Sequence, residues 1–374
     1  MSRLRVLHVV GARPNFMKIA PVMRAFERKG AVEQLLVHTG QHYDDALSRD
    51  LFEDLELPKP DMNLGIGSGS HADQTGRTIM GLEPIMIDYD PDWVFTVGDV
   101  NSTLAAAIVG AKLGIPIAHV EAGLRSGDFA MPEEINRLVT DRLSSALFTT
   151  EPSANENLLS EGVAQDRIHY VGNVMIDTLL RCRERARFLE MPRKLGLFPG
   201  KYFAVTLHRP SNVDRADRLA AILSSLVQSA ANCNCELVIP FHPRTSARIK
   251  EFGLESLVEG VRAVPPLRYL EFLGLMQEAA LVLTDSGGIQ EETTALGIPC
   301  ITLRSTTERP VTVTEGTNQL FNGELAELPD VVSEALTRTR DPVFPHLWDG
   351  SAAERIADVT VQLGRLSAPD PVTV

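Results

Sequence analysis

Short apolar runs alternate along the chain with longer stretches in which apolar residues recur every three or four positions. Leu4–Val10, Leu35–His38, Trp93–Val97, Ile115–Val120, Leu147–Thr150 and Ile168–Val171 read as strands. They are continuously apolar, as strands covered on both faces are. Between them, Met17–Lys29, Ser102–Leu113 and Glu133–Ser145 carry the helical period. The charge-rich stretch 181–193 interrupts this grammar, which then restarts with Tyr202–Leu207, Leu237–Phe241, Val261–Val264, Leu281–Thr284 and Cys300–Leu303. Strand-helix alternation of this kind predicts parallel sheets with crossover helices. The expected fold class is therefore α/β, with two doubly wound, Rossmann-like domains facing across a cleft.

Length agrees with two domains, since 374 residues exceed what one core ordinarily serves. The expected boundaries are 1–180 for the first domain and 200–350 for the second, with a final helix over 352–366 completing the first. The carboxyl ends of both sheets are expected at the cleft, where such sheets bind ligands. With 44% hydrophobic and 23% charged residues the composition is globular, and no run approaches the roughly 18 apolar residues of a membrane span. The amino-terminal apolar run stops at Gly11, too short for a secretion signal, so a cytoplasmic protein without membrane attachment is expected. The net charge of −13 argues against a nucleic-acid partner, whose backbone is held by clustered cations. Four irregularly spaced cysteines suit a reducing compartment, and no metal is expected.

The residues with chemical capability fall just behind strands. After the first comes Gly11-Ala12-Arg13-Pro14-Asn15-Phe16-Met17-Lys18, a turn with two cations that reads either as a solvated turn or as an anion site. Asp99 and Glu121 follow two successive strands. Asp99 could cap the helix opening near Ser102; nothing helical begins behind Glu121, so capping does not explain it. Glu133 and Glu134 open a helix, where carboxylates also favour the dipole. In the second half, His208-Arg209 and His242-Pro243-Arg244 both end strands, a doubled placement that predicts roles in the cleft. Gly65-Ile66-Gly67-Ser68-Gly69 follows no buried strand and reads as a flexible loop. Asp285-Ser286-Gly287-Gly288 leads from a strand into a helix that carries Glu291 and Glu292. Glycine lets backbone approach an anion at the open amides of a helix start, and an acid one turn in suits ribose hydroxyls. The helix end contributes only about 0.3 to 2 kcal/mol, so cations from the facing domain are expected to help.

Taken together, "GARPNFMKIAP" (11–21), "GDVNST" (98–103), "HVEAGLRSGDFAMPEEINRLVTD" (119–141), "LTDSGGIQEE" (283–292) and "TTERP" (306–310) resemble the non-hydrolysing UDP-N-acetylglucosamine 2-epimerases. The resemblance runs from about residue 4 to 365 and implies the glycosyltransferase-B fold with UDP in the cleft. It implies a diphosphate site at Ser286, Gly287 and Gly288, ribose at Glu292, and a uracil contact at Phe272. Arg13, Lys18 and Arg137 would complete the nucleotide site. Asp99, Glu121, Glu133 and His208 match the family's catalytic set.

The implied reaction is reversible inversion at C2 of UDP-N-acetylglucosamine to UDP-N-acetylmannosamine, for cell-surface polysaccharide, by a homodimer and without a cofactor. C2 lies next to no carbonyl, and the chain has no dinucleotide fingerprint to support transient oxidation. The family route eliminates UDP to a 2-acetamidoglucal and adds it back on the other face. Alternatives at this stage are a glycosyltransferase on the same fold, a hydrolysing relative, a non-catalytic sensor, and an epimerase for a diacetamido uronic acid sugar. In some members a second UDP-N-acetylglucosamine activates through a stretch equivalent to Gln41-His42-Tyr43-Asp44 and an arginine after the His-Arg pair. Here Asp44 and Pro210 occupy such positions, which places that regulation in doubt.

Overall fold

A computed structural model describes residues 3–40, 45–241, 243–337 and 344–365. His242 and the stretch Gln41–Asp44 lie outside the described residues. The chain divides into two compact units, 1–178 together with 346–374, and 179–345.

Unit 1 holds a seven-stranded sheet: β1 (Leu4–Val10), β2 (Val32–His38), β3 (Met62–Asn63), β4 (Trp93–Val97), β5 (Ile117–Ala122), β6 (Ala146–Thr149) and β7 (Ile168–Tyr170). The spatial order is β3-β2-β1-β4-β5-β6-β7, and every pairing is parallel. Both faces are covered. Leu7, Val9, Val37 and Val94 pack with Leu82, Met86, Ala106 and Val109 from helices His71–Tyr89 and Asn101–Leu113. His8, the polar interruption in β1, is fully buried near Phe26 and Phe95 and bonds Gln34 Oε1 at 2.9 Å. The chain returns to this unit at its end. Helix Ala352–Leu363 lies on helix Arg13–Lys29, and its first amides, Ala352 N and Ala353 N, donate to Asp177 at 3.1 and 2.7 Å.

Unit 2 holds β8 (Tyr202–Thr206), β9 (Glu236–Pro240), β10 (Arg262–Val264), β11 (Leu281–Thr284), β12 (Cys300–Thr302) and β13 (Asn318–Leu320), in the order β10-β9-β8-β11-β12-β13. These pairings are also all parallel. Phe203, Val205, Leu281 and Leu283 build its core with Leu219, Ile222 and Leu226 of helix Ala216–Asn232.

Three features differ from the sequence reading. The stretch 181–193, which interrupts the strand-helix grammar, is itself largely helical: a helix continues through Val174–Phe188, and a turn follows at Met191–Lys194. Cys182 and Ala186 are buried, so the charged residues there decorate one side of an element that also packs. The run Gly65–Gly69 is anchored, with Ile66 N and Gly67 N donating to Thr39 O and Gly40 O at 2.9 and 2.8 Å. Gln74 Nε2 holds Gly67 O at 3.0 Å as well. Strands β3 and β13, two and three residues long, escaped the sequence reading because so short a segment carries no period.

Candidate active site

In both units the strand order reverses at one place, between β1 and β4 and between β8 and β11. Such switch points open a crevice at the carboxyl ends of the strands. The polar motifs lie at these two crevices.

In unit 1, β1 runs into Gly11-Ala12 and helix Arg13–Lys29. Asn15 Oδ1 accepts from both Gly11 N and Ala12 N at 3.0 Å, while its amide donates to Val97 O at 2.8 Å. One side chain thus ties the first turn to the end of β4. Arg13 is exposed at the helix start. Lys18 is 5% exposed and ion-pairs with Glu121, itself 4% exposed. Beside them, Gly98 holds φ +67°, and a Cβ there would lie 2.8 Å from Lys18 Nζ and 3.7 Å from Glu121 Oε2. Glycine is required at that turn on both counts.

Glu121 sits where the β5-β6 register slips, at a bulge between Val120 and Ala122, with φ +71°. A left-handed conformation for a non-glycine residue costs of order 1–3 kcal/mol, and such strain concentrates at functional sites. The bulge turns the carboxylate toward Lys18. Asp99 does not cap its helix, whose N-cap is Val100. Its carboxylate instead accepts from Arg137 Nη1 at 2.6 Å, while Asn136 Nδ2 holds its carbonyl at 2.8 Å. Arg137, 2% exposed, also pairs with Glu134. Glu134 accepts from Ser126 N and Gly127 N at 3.0 and 2.9 Å. Burial alone would raise the Glu134 pKa, but these amides and Arg137 outweigh it and hold the carboxyl low. Glu133, its neighbour on the helix, is half-buried.

In unit 2, Asp285 is fully buried at the end of β11. It accepts from Arg209 N at 2.9 Å, His208 N at 3.1 Å and Asn212 Nδ2 at 3.2 Å, and it lies 2.9 Å from His208 Nδ1. Burial pushes its pKa up, yet His208 and these donors reverse the shift. The ring of His208 is 46% exposed, with Nδ1 turned to Asp285. Ser286 occupies the N-cap of helix Gly287–Leu296 without using its hydroxyl as a cap. A Cβ on Gly287 would lie 2.8 Å from Arg309 Nη1 and 2.9 Å from Glu308 Oε1. Arg309 is buried between Glu291 at 2.8 Å and Glu308 at 2.6 Å. Although burial would raise the Glu308 pKa, Arg309 and Arg304 depress it strongly. Tyr269 donates its hydroxyl to Glu292 at 2.9 Å, and Phe272 sits half-buried on the same helix, Tyr269–Met276.

Several of these pairings go beyond the sequence reading. Lys18 is engaged by a carboxylate and Arg137 by two, partners that the sequence did not name. Unit 2 brings its own cations to the helix start, Arg309 beside Gly287 and Arg209 with Nε on Asp285 O at 2.9 Å. Asn15, Asp285 and Arg309 carried no assigned role, and Glu134 only that of favouring its helix dipole. Asp285 and Arg309 each stand inside a quoted motif, but an aspartate ending a strand and an arginine in a loop declare nothing until their partners are known. Among the described residues no cluster of His, Cys, Asp and Glu could hold a metal ion.

Two doubly wound parallel sheets, each with charged side chains gathered at its switch point, define an α/β enzyme of the glycosyltransferase-B type. The model for the family "UDP-N-acetylglucosamine 2-epimerase" matches residues 24–360, and the chain belongs to that family. A UDP-N-acetylglucosamine 2-epimerase of Methanococcus maripaludis is 39% identical over 94% of this chain and 96% of its own. A UDP-2,3-diacetamido-2,3-dideoxy-D-glucuronate 2-epimerase of Pseudomonas aeruginosa is likewise 39% identical, over 96% of this chain and 100% of its own. The crystal structure of the Methanocaldococcus jannaschii UDP-GlcNAc 2-epimerase in complex with UDP-GlcNAc and UDP superposes with TM-score 0.89. Its identity is 40%, covering 96% of this chain and 100% of that one.

Proposed function

We propose that the protein interconverts UDP-N-acetylglucosamine and UDP-N-acetylmannosamine. In this reading Ser286, Gly287 and Gly288 receive the diphosphate at the start of their helix, with Arg309 as the nearest cation. Glu292 takes the ribose, Phe272 flanks the uracil, and Arg13 completes the nucleotide contacts; His242 keeps the binding role its motif suggests. One carboxylate of Asp99, Glu121 and Glu133 removes the C2 proton. The C2–H electron pair forms the C1–C2 double bond, and the C1–O bond breaks with its pair left on UDP. Positive charge and the His208 ring stabilise that leaving group. UDP then adds back to C1 while a second carboxylate returns a proton to the opposite face of C2.

The observation that carries this reading is Glu121, a buried carboxylate in a strained left-handed conformation, paired with Lys18 beside the turn that presents Asp99. Incubation with UDP-N-acetylglucosamine in D2O, followed by proton NMR, tests it. Deuterium at C2 of both epimers is the expected result. Turnover that retains protium excludes the elimination route, free N-acetylmannosamine identifies a hydrolase, and reaction only with an added acceptor identifies a glycosyltransferase. The Pseudomonas relative supports a second reading, a diacetamido glucuronate substrate; kcat/KM on both sugars decides between them. The family resemblance further supports a cytoplasmic homodimer serving cell-surface polysaccharide synthesis, the dimer being measurable by sedimentation velocity.

A further inference from the structure

His119 has no part in the reaction just described, yet it is fully buried on β5 between the turns that present Asp99 and Glu121. Its Nε2 lies 2.8 Å from Gly98 O, and its Nδ1 lies 2.6 Å from Asp141 Oδ1. Both partners are acceptors. A ring can serve two acceptors only by donating from both nitrogens, so each carries a proton. The second oxygen of Asp141 accepts from Gly123 N at 3.0 Å and pairs with Arg125 at 2.8 Å. Burial would push the Asp141 pKa up, but His119 and Arg125 bring it below the ordinary value. A buried carboxylate flanked by two cations is compensated; stripped of one, it would not be.

The atoms this network holds are the ones that orient the acids. Gly98 O belongs to the residue before Asp99, and Gly123 N to the second residue after Glu121. Both glycines have positive φ, +67° and +80°, where no side chain steers the peptide. Asp141 lies on helix Pro132–Leu143 with Glu133, and with Arg137, which grips Asp99. One interaction therefore ties the β4 turn, the β5 bulge and the Glu133 helix together.

The geometry points to His119, donating through both ring nitrogens and braced by Asp141, as a positioning residue that sets the spacing of Asp99, Glu121 and Glu133. This rests on the reading of those three as the proton-transfer groups. A misplacement of about 1 Å in such a constellation is able to cost around 100-fold in rate. His119→Phe fills the site without either donor, and His119→Gln keeps one. The Phe variant is expected to lose about 100-fold in kcat with KM and UDP affinity within about threefold of wild type, and the Gln variant about tenfold less. A folded His119→Phe enzyme with kcat within threefold of wild type overturns the proposal. So does a loss appearing as a raised KM with kcat unchanged.

A second measurement does not depend on the variants folding or on the reaction. In wild-type protein labelled with 15N-histidine, both ring nitrogens of His119 should show directly bonded protons at neutral pH. A bare ring nitrogen refutes the clamp. Wild-type protein that leaves C2 unexchanged in D2O while showing both ring protons would instead refute the assigned reaction and leave the clamp standing.

Discussion

Replacing Lys18 with Met removes the cation from a buried pair while keeping a side chain of similar length. Glu121, 4% exposed, then loses the cation that compensates its charge in low-dielectric surroundings. Breaking a buried pair by deleting one partner costs about 3–5 kcal/mol. Protonation caps the loss, because Glu121 can escape by taking up a proton. From the reference pKa near 4.3, that uptake at pH 7 costs about 3.7 kcal/mol, from 2.7 pH units at 1.36 kcal/mol each. At pH 5 the same escape costs only about 1 kcal/mol. In the variant the native state binds a proton that the unfolded chain does not, so its stability must fall as pH rises above about 4.3. Both tryptophans, Trp93 and Trp348, are buried in unit 1, so tryptophan fluorescence during urea unfolding reports on the unit that contains the pair. Lys18→Met is expected to lose up to about 3.7 kcal/mol relative to wild type at pH 7 and to recover most of that loss at pH 5. Adding Glu121→Gln should restore stability at both pH values. Equal losses at pH 5 and pH 7 would show that an ionised carboxylate is not the source of the cost, and the account of the pair would fail.

Asp285→Asn keeps the shape of the acceptor but removes the charge that orients His208. Catalysed C2 exchange should fall about 10- to 100-fold, whereas unchanged exchange would detach His208 from the reaction. Gly287→Ala places a Cβ 2.8 Å from Arg309 Nη1. Calorimetric titration should find UDP bound at least about tenfold more weakly, roughly 1.4 kcal/mol, and wild-type affinity would rule out phosphate at this turn. His8 titrates at about 4 because burial opposes its charge, with the Gln34 bond a smaller opposing effect. The unfolded chain, with an ordinary value near 6.5, takes the proton first, so this residue contributes stability that is lost as pH falls from about 6.5 to 4, about 3 kcal/mol in all. Asp177, pushed up to about 6 by burial, works the other way, its native state holding a proton the unfolded chain lacks, so stability falls as pH rises from about 4 to 6. His8→Leu should therefore make the slope of stability against rising pH more downward than that of wild type in that window; a slope matching wild type would contradict the assignment.

The alternation of apolar runs and helical periods was enough to reveal two parallel α/β units, because strands covered on both faces must be continuously apolar and helices between them must repeat every 3.6 residues. It also exposed where chemistry belongs. A residue at or just past the carboxyl end of a strand in such a sheet stands at the open end whatever the strand order, so Asp99, Glu121, His208 and Ser286 could be singled out in advance. What each of them touches could not. The partner of Glu121 is Lys18, more than a hundred positions away, and the pair forms only because β1 and β5 both flank β4 in the sheet. Arg137 reaches Asp99, and Asp285 reaches His208, for the same reason: strand order is set by how whole faces bury one another. The left-handed bend at Glu121 is a further case, since glutamate has no local preference for it and the β5-β6 register imposes it. The second half of the helix over Val174–Phe188 also waited on packing, because charged residues outnumber apolar ones over 181–188 and only the burial of Cys182 and Ala186 shows that this stretch packs. Local pattern selects the elements and the ends that carry function; which charges meet is a property of the assembled sheets.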